Sequence, residues 1–229
     1  MQDLSSSDAS TNTTEIEERG SPPFLRILPL GASITYGVGS TEGNGYRLSL
    51  WYDLEAAGFK LNYVGSMKHG QMIHNAVEGY PGNTIAQVDQ KASTSGAYNM
   101  NPNVVLLHVG TNECNLPGQD VSSAPDRYLT LLNNLKARLP NALVIASTLI
   151  HNRDPTVDNC INNLNNGLRN AVQRASNAGQ KVTIVDMWSA VPMDTISTTD
   201  KTHPNNQGYA IMSKTWLAGI QKSVSRISA

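Results

Sequence analysis

Short apolar runs that alternate with amphipathic stretches constrain this chain more than any other feature of its sequence. The runs at Asn103–Val109 and Ala142–Leu149 are mainly apolar, which is typical of strands buried on both faces of a sheet. The stretches between the runs place apolar residues three or four positions apart, which is the spacing of a helix. This alternation predicts a three-layer α/β/α sandwich around a mostly parallel, five-stranded sheet.

The pattern also sets approximate bounds for each element. The predicted strands are Phe24–Leu30, Leu61–Gly65, Asn103–Val109, Ala142–Leu149 and Lys181–Met187. The predicted helices are Arg47–Ala57, Thr84–Ser93, Asp126–Leu139, Asp158–Ala178 and Asn206–Ile227. They place a single domain over residues 24–229, a length that suits one α/β domain.

Residues 1–23 differ in composition from this domain. They are rich in Ser and Thr, hold five acidic residues against one basic residue, and contain no apolar block. Such a segment buries too little apolar surface to order itself, so we expect a flexible tail or linker. It is not a signal peptide, because the apolar middle region is missing. We expect a secreted protein in a mature or recombinant form whose signal has been removed, and the glycosylation acceptor Asn12-Thr13-Thr14 fits secretion.

Charge and composition argue against several classes of partner. The 18 acidic residues nearly balance the 17 basic ones, which leaves little material for a nucleic-acid-binding patch. No apolar run approaches the roughly 18 residues of a membrane span. We therefore expect neither a nucleic-acid nor a membrane partner. Because no acidic cluster has metal-ligand spacing, we expect chemistry that needs no metal. We also expect no cofactor and a monomer.

Four loops at one edge of the predicted sheet hold polar residues suited to catalysis. Ligand sites in such folds gather beyond the carboxyl ends of the strands. Ser33 follows the first strand, where its hydroxyl can stand at the start of a helix or merely cap a turn. Asn112 follows the third strand and can donate two N–H groups without carrying charge, or tie a turn to its own backbone. Gly82 offers a backbone N–H beside a helix start, or serves only as a turn glycine.

The fourth loop contains Asp200 and His203, three residues apart. A carboxylate oxygen can there meet the imidazole Nδ1–H and leave Nε2 as a base, the alternative being a capped surface loop. His108 lies inside an apolar strand and is more typical of a satisfied core residue. No acidic residue in a suggestive spacing accompanies the remaining histidines, which are His69, His74 and His151.

Cys114 and Cys160 are the only cysteines, and they form no Cys-x-x-Cys pair. A zinc or thioredoxin-type site therefore has no support. One disulfide and two buried thiols are both compatible with this spacing.

Together, the Ser, the Gly, the Asn and the Asp-x-x-His are the parts of a Ser–His–Asp hydrolase with an oxyanion hole. From Phe24 to the C-terminal helix the chain resembles the SGNH (GDSL-type) hydrolase superfamily, which has a flavodoxin-like fold. The resemblance implies a nucleophile Ser33, a base His203 oriented by Asp200, and an oxyanion hole formed by the N–H groups of Ser33 and Gly82 and the Asn112 amide.

Two positions depart from the superfamily pattern. Ala32 stands where the usual Gly-Asp-Ser has Asp, which removes a local hydrogen bond but no member of the triad. Glu113 stands where many relatives have Asp.

Several segments, among them Glu78-Gly79-Tyr80-Pro81-Gly82 and His203-Pro204-Asn205, resemble carbohydrate esterase family 3. Members of that family are secreted acetylxylan esterases. The resemblance implies a serine esterase that removes acetyl groups from plant cell-wall polysaccharide, most of all acetylxylan. The alternatives are a GDSL-type lipase, arylesterase or thioesterase on longer acyl esters, or a non-catalytic carbohydrate-binding relative. In a secreted protein of this kind we expect Cys114 and Cys160 to be bridged.

Overall fold

The computed structural model describes residues 22–228. Its strands are β1 (Leu25–Gly31), β2 (Leu61–Tyr63), β3 (Met67–Lys68), β4 (Ala76–Gly79), β5 (Val104–His108), β6 (Leu143–Ser147) and β7 (Val182–Val185). Its helices are α1 (Ser33–Tyr36), α2 (Arg47–Ala56), α3 (Ile85–Thr94), α4 (Thr111–Asn115), α5 (Ala124–Arg138), α6 (Pro155–Asn177), α7 (Met187–Ala190) and α8 (Asn206–Lys222). The tail predicted over residues 1–23, with its Asn12 acceptor, lies outside the described residues apart from Pro22 and Pro23.

The strands form one sheet in the order β3-β4-β1-β5-β6-β7, with β2 also paired to β1. β2 pairs with the first half of β1 and β4 with its end, so two short strands share one side of β1. Every pairing is parallel except that of β3 with β4. The predicted mostly parallel sandwich is confirmed, but the expectation of five strands is wrong, because the described sheet has seven.

The two strands that the sequence does not predict, β3 and β4, lack an apolar run. β4 carries a fully buried carboxylate, that of Glu78. This side chain accepts hydrogen bonds from the N–H of Ser66 at 2.7 Å and from the Ser66 hydroxyl at 3.0 Å. Pairing with β1 and these hydrogen bonds stabilise β4 in place of the apolar side chains on which strand prediction depends.

Helices cover both faces of the sheet. Alternate residues of β5 point to opposite faces, as the pleat of a strand requires: Val105 and Leu107 pack with α3, α5 and α6, whereas Val104 and Leu106 pack with α2 and α8. All five residues of β5 are buried, which explains its continuous apolar pattern. None of the helices within residues 22–228 is both long enough and apolar enough to cross a bilayer.

Local capping moves some helix ends from their predicted positions. α6 begins three residues earlier than expected, because the Asp154 side chain accepts hydrogen bonds from the N–H groups of Thr156 and Val157 and Pro155 occupies the first turn. α8 begins at the predicted Asn206, where the side chain of Asn205 accepts the N–H of Gly208. These caps fix the start of the two helices that follow β6 and the Asp200–His203 loop.

Arg47, at the start of α2, is fully buried and joins several loops. Its guanidinium donates hydrogen bonds of 2.9–3.1 Å to the main-chain carbonyl groups of His69, Asn75, Tyr36 and Gly43. A planar guanidinium with five N–H donors suits this arrangement better than a lysine ammonium would. One side chain therefore holds the segment after α1 against the segment between β3 and β4.

His108, at the end of β5, is buried and only half satisfied by hydrogen bonds. Its Nδ1 lies 2.8 Å from the Ser147 hydroxyl, while Nε2 has no partner among the described residues. The expectation of a core histidine therefore holds, but that of a fully satisfied one does not. Burial lowers the pKa of His108 to about 4, because the charged form would lose its hydration.

This buried imidazole makes stability depend on pH. The unfolded chain takes up a proton at His108 near pH 6.5, while the folded chain resists it down to about pH 4. Above pH 6.5 both states hold a neutral His108, so stability does not depend on this group. As the pH falls from 6.5 to 4, we expect the free energy of unfolding to decrease by about 3 kcal/mol, because only the unfolded chain takes up the proton. Urea unfolding at pH 7.5 and 4.5 should show a smaller pH difference for His108→Gln than for the parent chain. An equal pH difference in both proteins would contradict this role of His108.

Candidate active site

Ser33 is the first residue of the one-turn helix α1, which follows β1. Gly31 permits this arrangement, because a Cβ there would lie 2.1 Å from the main-chain oxygen of His108 on β5. No side-chain hydrogen bond caps α1, since Ala32 has no polar group to offer. The local hydrogen bond that the family's Asp would supply is therefore absent at this helix start.

The loop before α8 brings Asp200 and His203 to Ser33. The Asp200 carboxylate accepts the N–H groups of Thr202 at 2.9 Å and His203 at 3.0 Å, which closes the loop on itself. Asp200 Oδ2 then lies 3.0 Å from His203 Nδ1, and His203 Nε2 lies 2.8 Å from Ser33 Oγ. The structure thus brings together the three residues that the sequence predicts as a triad.

The electrostatics of this loop keep Asp200 ionised. Burial alone would raise the pKa of Asp200, but the hydrogen bonds from the N–H groups of His203 and Thr202 and from the His203 ring outweigh it and hold the pKa below its ordinary value. A carboxylate bonded to Nδ1 places the imidazole proton on that atom and leaves Nε2 as the acceptor that faces Ser33. The arrangement can accept a proton from the serine hydroxyl.

Two further predicted residues lie in neighbouring loops that contact each other. Asn112, in α4 directly after β5, donates one Nδ2 hydrogen bond of 2.8 Å to the main-chain oxygen of Asn83. A primary amide carries two N–H groups, so the second is available to a ligand. Gly82, beside Asn83, is exposed and has a φ of 77°, a left-handed conformation that glycine adopts readily.

Glu113, which stands where many relatives have Asp, ties the same two loops together. Its Oε1 accepts the N–H of Ile85 at 2.7 Å, which is the first N–H of α3. The side chain is buried, and burial raises the pKa of this carboxyl group. The start of α3, and with it the loop that carries Gly82, is thereby fixed against α4. Sequence reasoning did not identify this positioning role.

The sequence also missed the pairing of His151, which the structure places after β6. Its Nδ1 lies 3.1 Å from Asp158 Oδ1, and its ring lies 3.7 Å from that of Trp188. The expectation that no acid accompanies His151 is wrong, because the early start of α6 turns Asp158 back over the loop. The same loop contacts the one that holds the candidate base, since the N–H of Arg153 donates to the main-chain oxygen of Lys201 at 2.8 Å.

The two cysteines form a disulfide in the structure, with their Cα atoms 5.8 Å apart. The bridge joins α4, two residues beyond Asn112, to the first turns of α6. It therefore anchors the short helix that carries the candidate oxyanion donor. Within residues 22–228 no group of three or more His, Cys, Asp or Glu side chains is arranged to hold a metal ion.

We expect Asn112→Ala to lower kcat by about 10²–10³, because the variant loses a fixed N–H donor for charge that develops in the transition state. The measurement is steady-state hydrolysis of p-nitrophenyl acetate. Asn115→Ala is the matched control, since it removes an exposed amide from the same helix. A kcat within threefold of the parent value for Asn112→Ala would contradict an oxyanion role.

The comparisons with known proteins identify the family to which this chain belongs. Residues 30–211 match the GDSL-like Lipase/Acylhydrolase family, and the chain belongs to that family. The resemblance to the SGNH (GDSL-type) hydrolase superfamily stated above is therefore confirmed.

Individual relatives are similar over most of this chain. A multidomain esterase from Ruminococcus flavefaciens is 28% identical over 86% of this chain. This chain spans only about a quarter of the length of that esterase, since the match covers 28% of it. A family 3 carbohydrate esterase from Clostridium thermocellum is 26% identical, with a TM-score of 0.78 over 89% of this chain and 98% of the other. A family 3 carbohydrate esterase from Talaromyces cellulolyticus, 23% identical, has the same fold, with a TM-score of 0.75 over 89% and 100% of the two chains.

Proposed function

We propose that this protein is a secreted serine esterase that removes acetyl groups from plant cell-wall polysaccharide, most of all acetylxylan. The observation that carries the proposal is the 2.8 Å approach of His203 Nε2 to Ser33 Oγ, with Asp200 behind the ring. A hydroxyl, an imidazole and a carboxylate bonded in this order are the parts of an activated serine nucleophile. The similarity to a family 3 carbohydrate esterase at 26% identity supports the choice of substrate class.

The chemistry proceeds in two halves. Ser33 Oγ attacks the acetyl carbonyl carbon while its proton passes to His203 Nε2, and the carbonyl oxygen becomes an oxyanion. The N–H groups of Ser33 and Gly82 and the free Nδ2–H of Asn112 stabilise that charge. The bond to the sugar oxygen then breaks, and His203 returns the proton to the departing hydroxyl.

In the second half a water attacks the acetyl-serine and gives its proton to His203 Nε2. The second oxyanion collapses, the acyl bond to Ser33 Oγ breaks, and the proton returns from His203 to the serine. Acetic acid leaves and the free enzyme is restored. Each half therefore begins with a neutral His203 that can accept a proton at Nε2.

Secretion is supported by the Cys114–Cys160 disulfide. Disulfides persist in oxidising compartments and are rare in cytosolic proteins. The glycosylation acceptor at Asn12-Thr13-Thr14 agrees with this location.

The experiment that tests the substrate compares ester classes. We expect acetate release from acetylated xylooligosaccharides and hydrolysis of p-nitrophenyl acetate, with kcat/KM falling steeply from acetyl to octanoyl esters. A preference for octanoyl esters would favour the lipase or arylesterase alternative. Failure of an organophosphonate probe to label Ser33, together with no ester hydrolysis, would favour the non-catalytic carbohydrate-binding alternative.

A further inference from the structure

A cavity of about 520 Å³ opens beside α2, outside the triad. Its wall includes two aromatic side chains of α2, Trp51 and Tyr52, and two residues of the segment between β3 and β4, Ile73 and His74. The rings of Trp51 and His74 are stacked, with centroids 4.2 Å apart and planes 6° apart. Tyr52 is 62% exposed and Ile73 is 91% exposed, which is unusual for large apolar side chains. We call this space the aromatic cavity.

The polar groups of the aromatic cavity define the chemistry of its ligand. Among residues 22–228, Glu42, Glu55 and Gln71 line it, and no Lys or Arg does. An anionic ligand would meet two carboxylates and no compensating cation. A neutral ligand rich in hydroxyl groups fits instead, because hydroxyl groups donate hydrogen bonds to carboxylates and its C–H faces can pack on exposed rings. The volume lies within the range of ordinary ligand sites, which is about 300–1,000 Å³.

The walls of the aromatic cavity are held in place by hydrogen bonds rather than left as free loops. The Asn44 side chain accepts the N–H of Met72 at 3.0 Å and donates to Glu42 Oε2 at 3.0 Å. The N–H of Gln71 donates to the main-chain oxygen of Glu42 at 3.1 Å. These bonds, with those from Arg47, preorganise the cavity, so a ligand need not order it on binding.

A smaller cavity of about 320 Å³ adjoins the aromatic cavity. The two cavities share Glu42, Asn44 and Leu48 in their walls. The smaller one is also lined by Ser40, next to Gly39, which packs so closely on His203 that a Cβ at Gly39 would lie 2.8 Å from the His203 Cβ. Ser40 of the smaller cavity and His203 are therefore both next to Gly39, while no triad residue lines either cavity.

We propose that the two cavities bind sugar residues of the same uncharged oligosaccharide chain whose ester lies at Ser33, with Tyr52 as the exposed aromatic contact. The proposal rests on the proposed function for the identity of the ester. It adds a binding site that would make the enzyme distinguish an acetylated polysaccharide from a small acetyl ester.

Direct binding tests the site without any chemical step. We expect calorimetric titration to show binding of at least one unacetylated hexasaccharide among xylohexaose, cellohexaose and mannohexaose. Tyr52→Ala should weaken that binding by about three- to tenfold, since an aromatic contact contributes about 0.5–1.5 kcal/mol. Ile73→Ser is a second variant of the same wall. Phe24→Ala is the matched control, because Phe24 is 47% exposed, stands directly before β1 and lines neither cavity.

Kinetics then separate this proposal from the proposed function. Tyr52→Ala should lower kcat/KM for the acetylated form of the bound oligosaccharide by the same three- to tenfold and leave p-nitrophenyl acetate unchanged. If the parent enzyme hydrolyses p-nitrophenyl acetate but no acetylated oligosaccharide, the proposed substrate is wrong, while the titration still decides whether the cavities bind sugar.

Three results would overturn the proposal. The first is that none of the hexasaccharides binds, and the second is that Tyr52→Ala and Phe24→Ala bind them equally well. The third is a dimer of the parent chain in sedimentation that Tyr52→Ala converts to a monomer, which would make the aromatic cavity an interface between copies.

Discussion

Ser33→Ala is expected to lower kcat for p-nitrophenyl acetate by about 10⁴–10⁶, because the variant has no oxygen to form the acyl intermediate. The hydroxyl that is removed contacts His203 Nε2 at 2.8 Å and lies at the start of a short helix, so the fold should be unaffected. Thermal unfolding should therefore give the same midpoint within about 4 °C, since one hydrogen bond contributes about 1 kcal/mol. The measurement is initial-rate hydrolysis with enzyme at micromolar concentration.

A matched control and a double variant sharpen this result. Ser93→Ala removes a hydroxyl from α3 whose one hydrogen bond within residues 22–228 is to the main-chain oxygen of Gln90, and it should keep full activity. Ser33→Ala combined with His203→Ala should be about as slow as Ser33→Ala alone, because residues that act as one unit are not additive. Activity of Ser33→Ala above a tenth of the parent value would eliminate Ser33 as the nucleophile.

Replacing both cysteines, Cys114→Ala with Cys160→Ala, is expected to lower the free energy of unfolding by about 4 kcal/mol. The bridge spans 46 residues of sequence, and closing a loop of that size removes this much conformational freedom from the unfolded chain. Urea unfolding of the double variant, compared with the oxidised parent protein, measures the loss. The same loss should appear when the parent protein is reduced before unfolding.

The double variant also tests how the disulfide serves the site. At 25 °C, where most of the chain should remain folded, kcat should stay within about tenfold of the parent value, because Asn112 keeps its hydrogen bond to Asn83. A loss of less than about 1 kcal/mol in both the variant and the reduced protein would show that the bridge contributes little to stability.

The sequence predicts those parts of the fold that depend on apolar patterning. β5 and β6 are continuous apolar runs because both of their faces are buried, and that burial is visible in composition alone. β4 is not predictable in this way, since it depends on Glu78 and on the hydrogen bonds that Ser66, 12 residues earlier, donates to it. A buried carboxylate in a strand contradicts the pattern unless its partners are known.

The same distinction holds for the candidate site, where some residues are predictable from the order of strands and loops and others depend on tertiary contacts. Ser33, Asn112 and His203 could be proposed because parallel strands end at one edge, so loops that follow them must meet. The hydrogen bond from the Ile85 N–H to the Glu113 carboxylate could not be proposed from the sequence, because it depends on how the main chain of one loop is placed against another. The pairing of His151 with Asp158 likewise depends on where α6 begins, which Asp154 and Pro155 decide.

The four carbonyl groups that accept hydrogen bonds from the Arg47 guanidinium restrict which loop lengths this fold can adopt during evolution. An insertion in one of the loops that carry these carbonyl groups would displace at least one acceptor and leave a buried cation short of a partner. Loop length is thus coupled across segments that are far apart in the gene. On the proposed function, we expect substrate preference to change through substitution of single exposed side chains, such as Tyr52 or Ile73, without a change in the backbone around them.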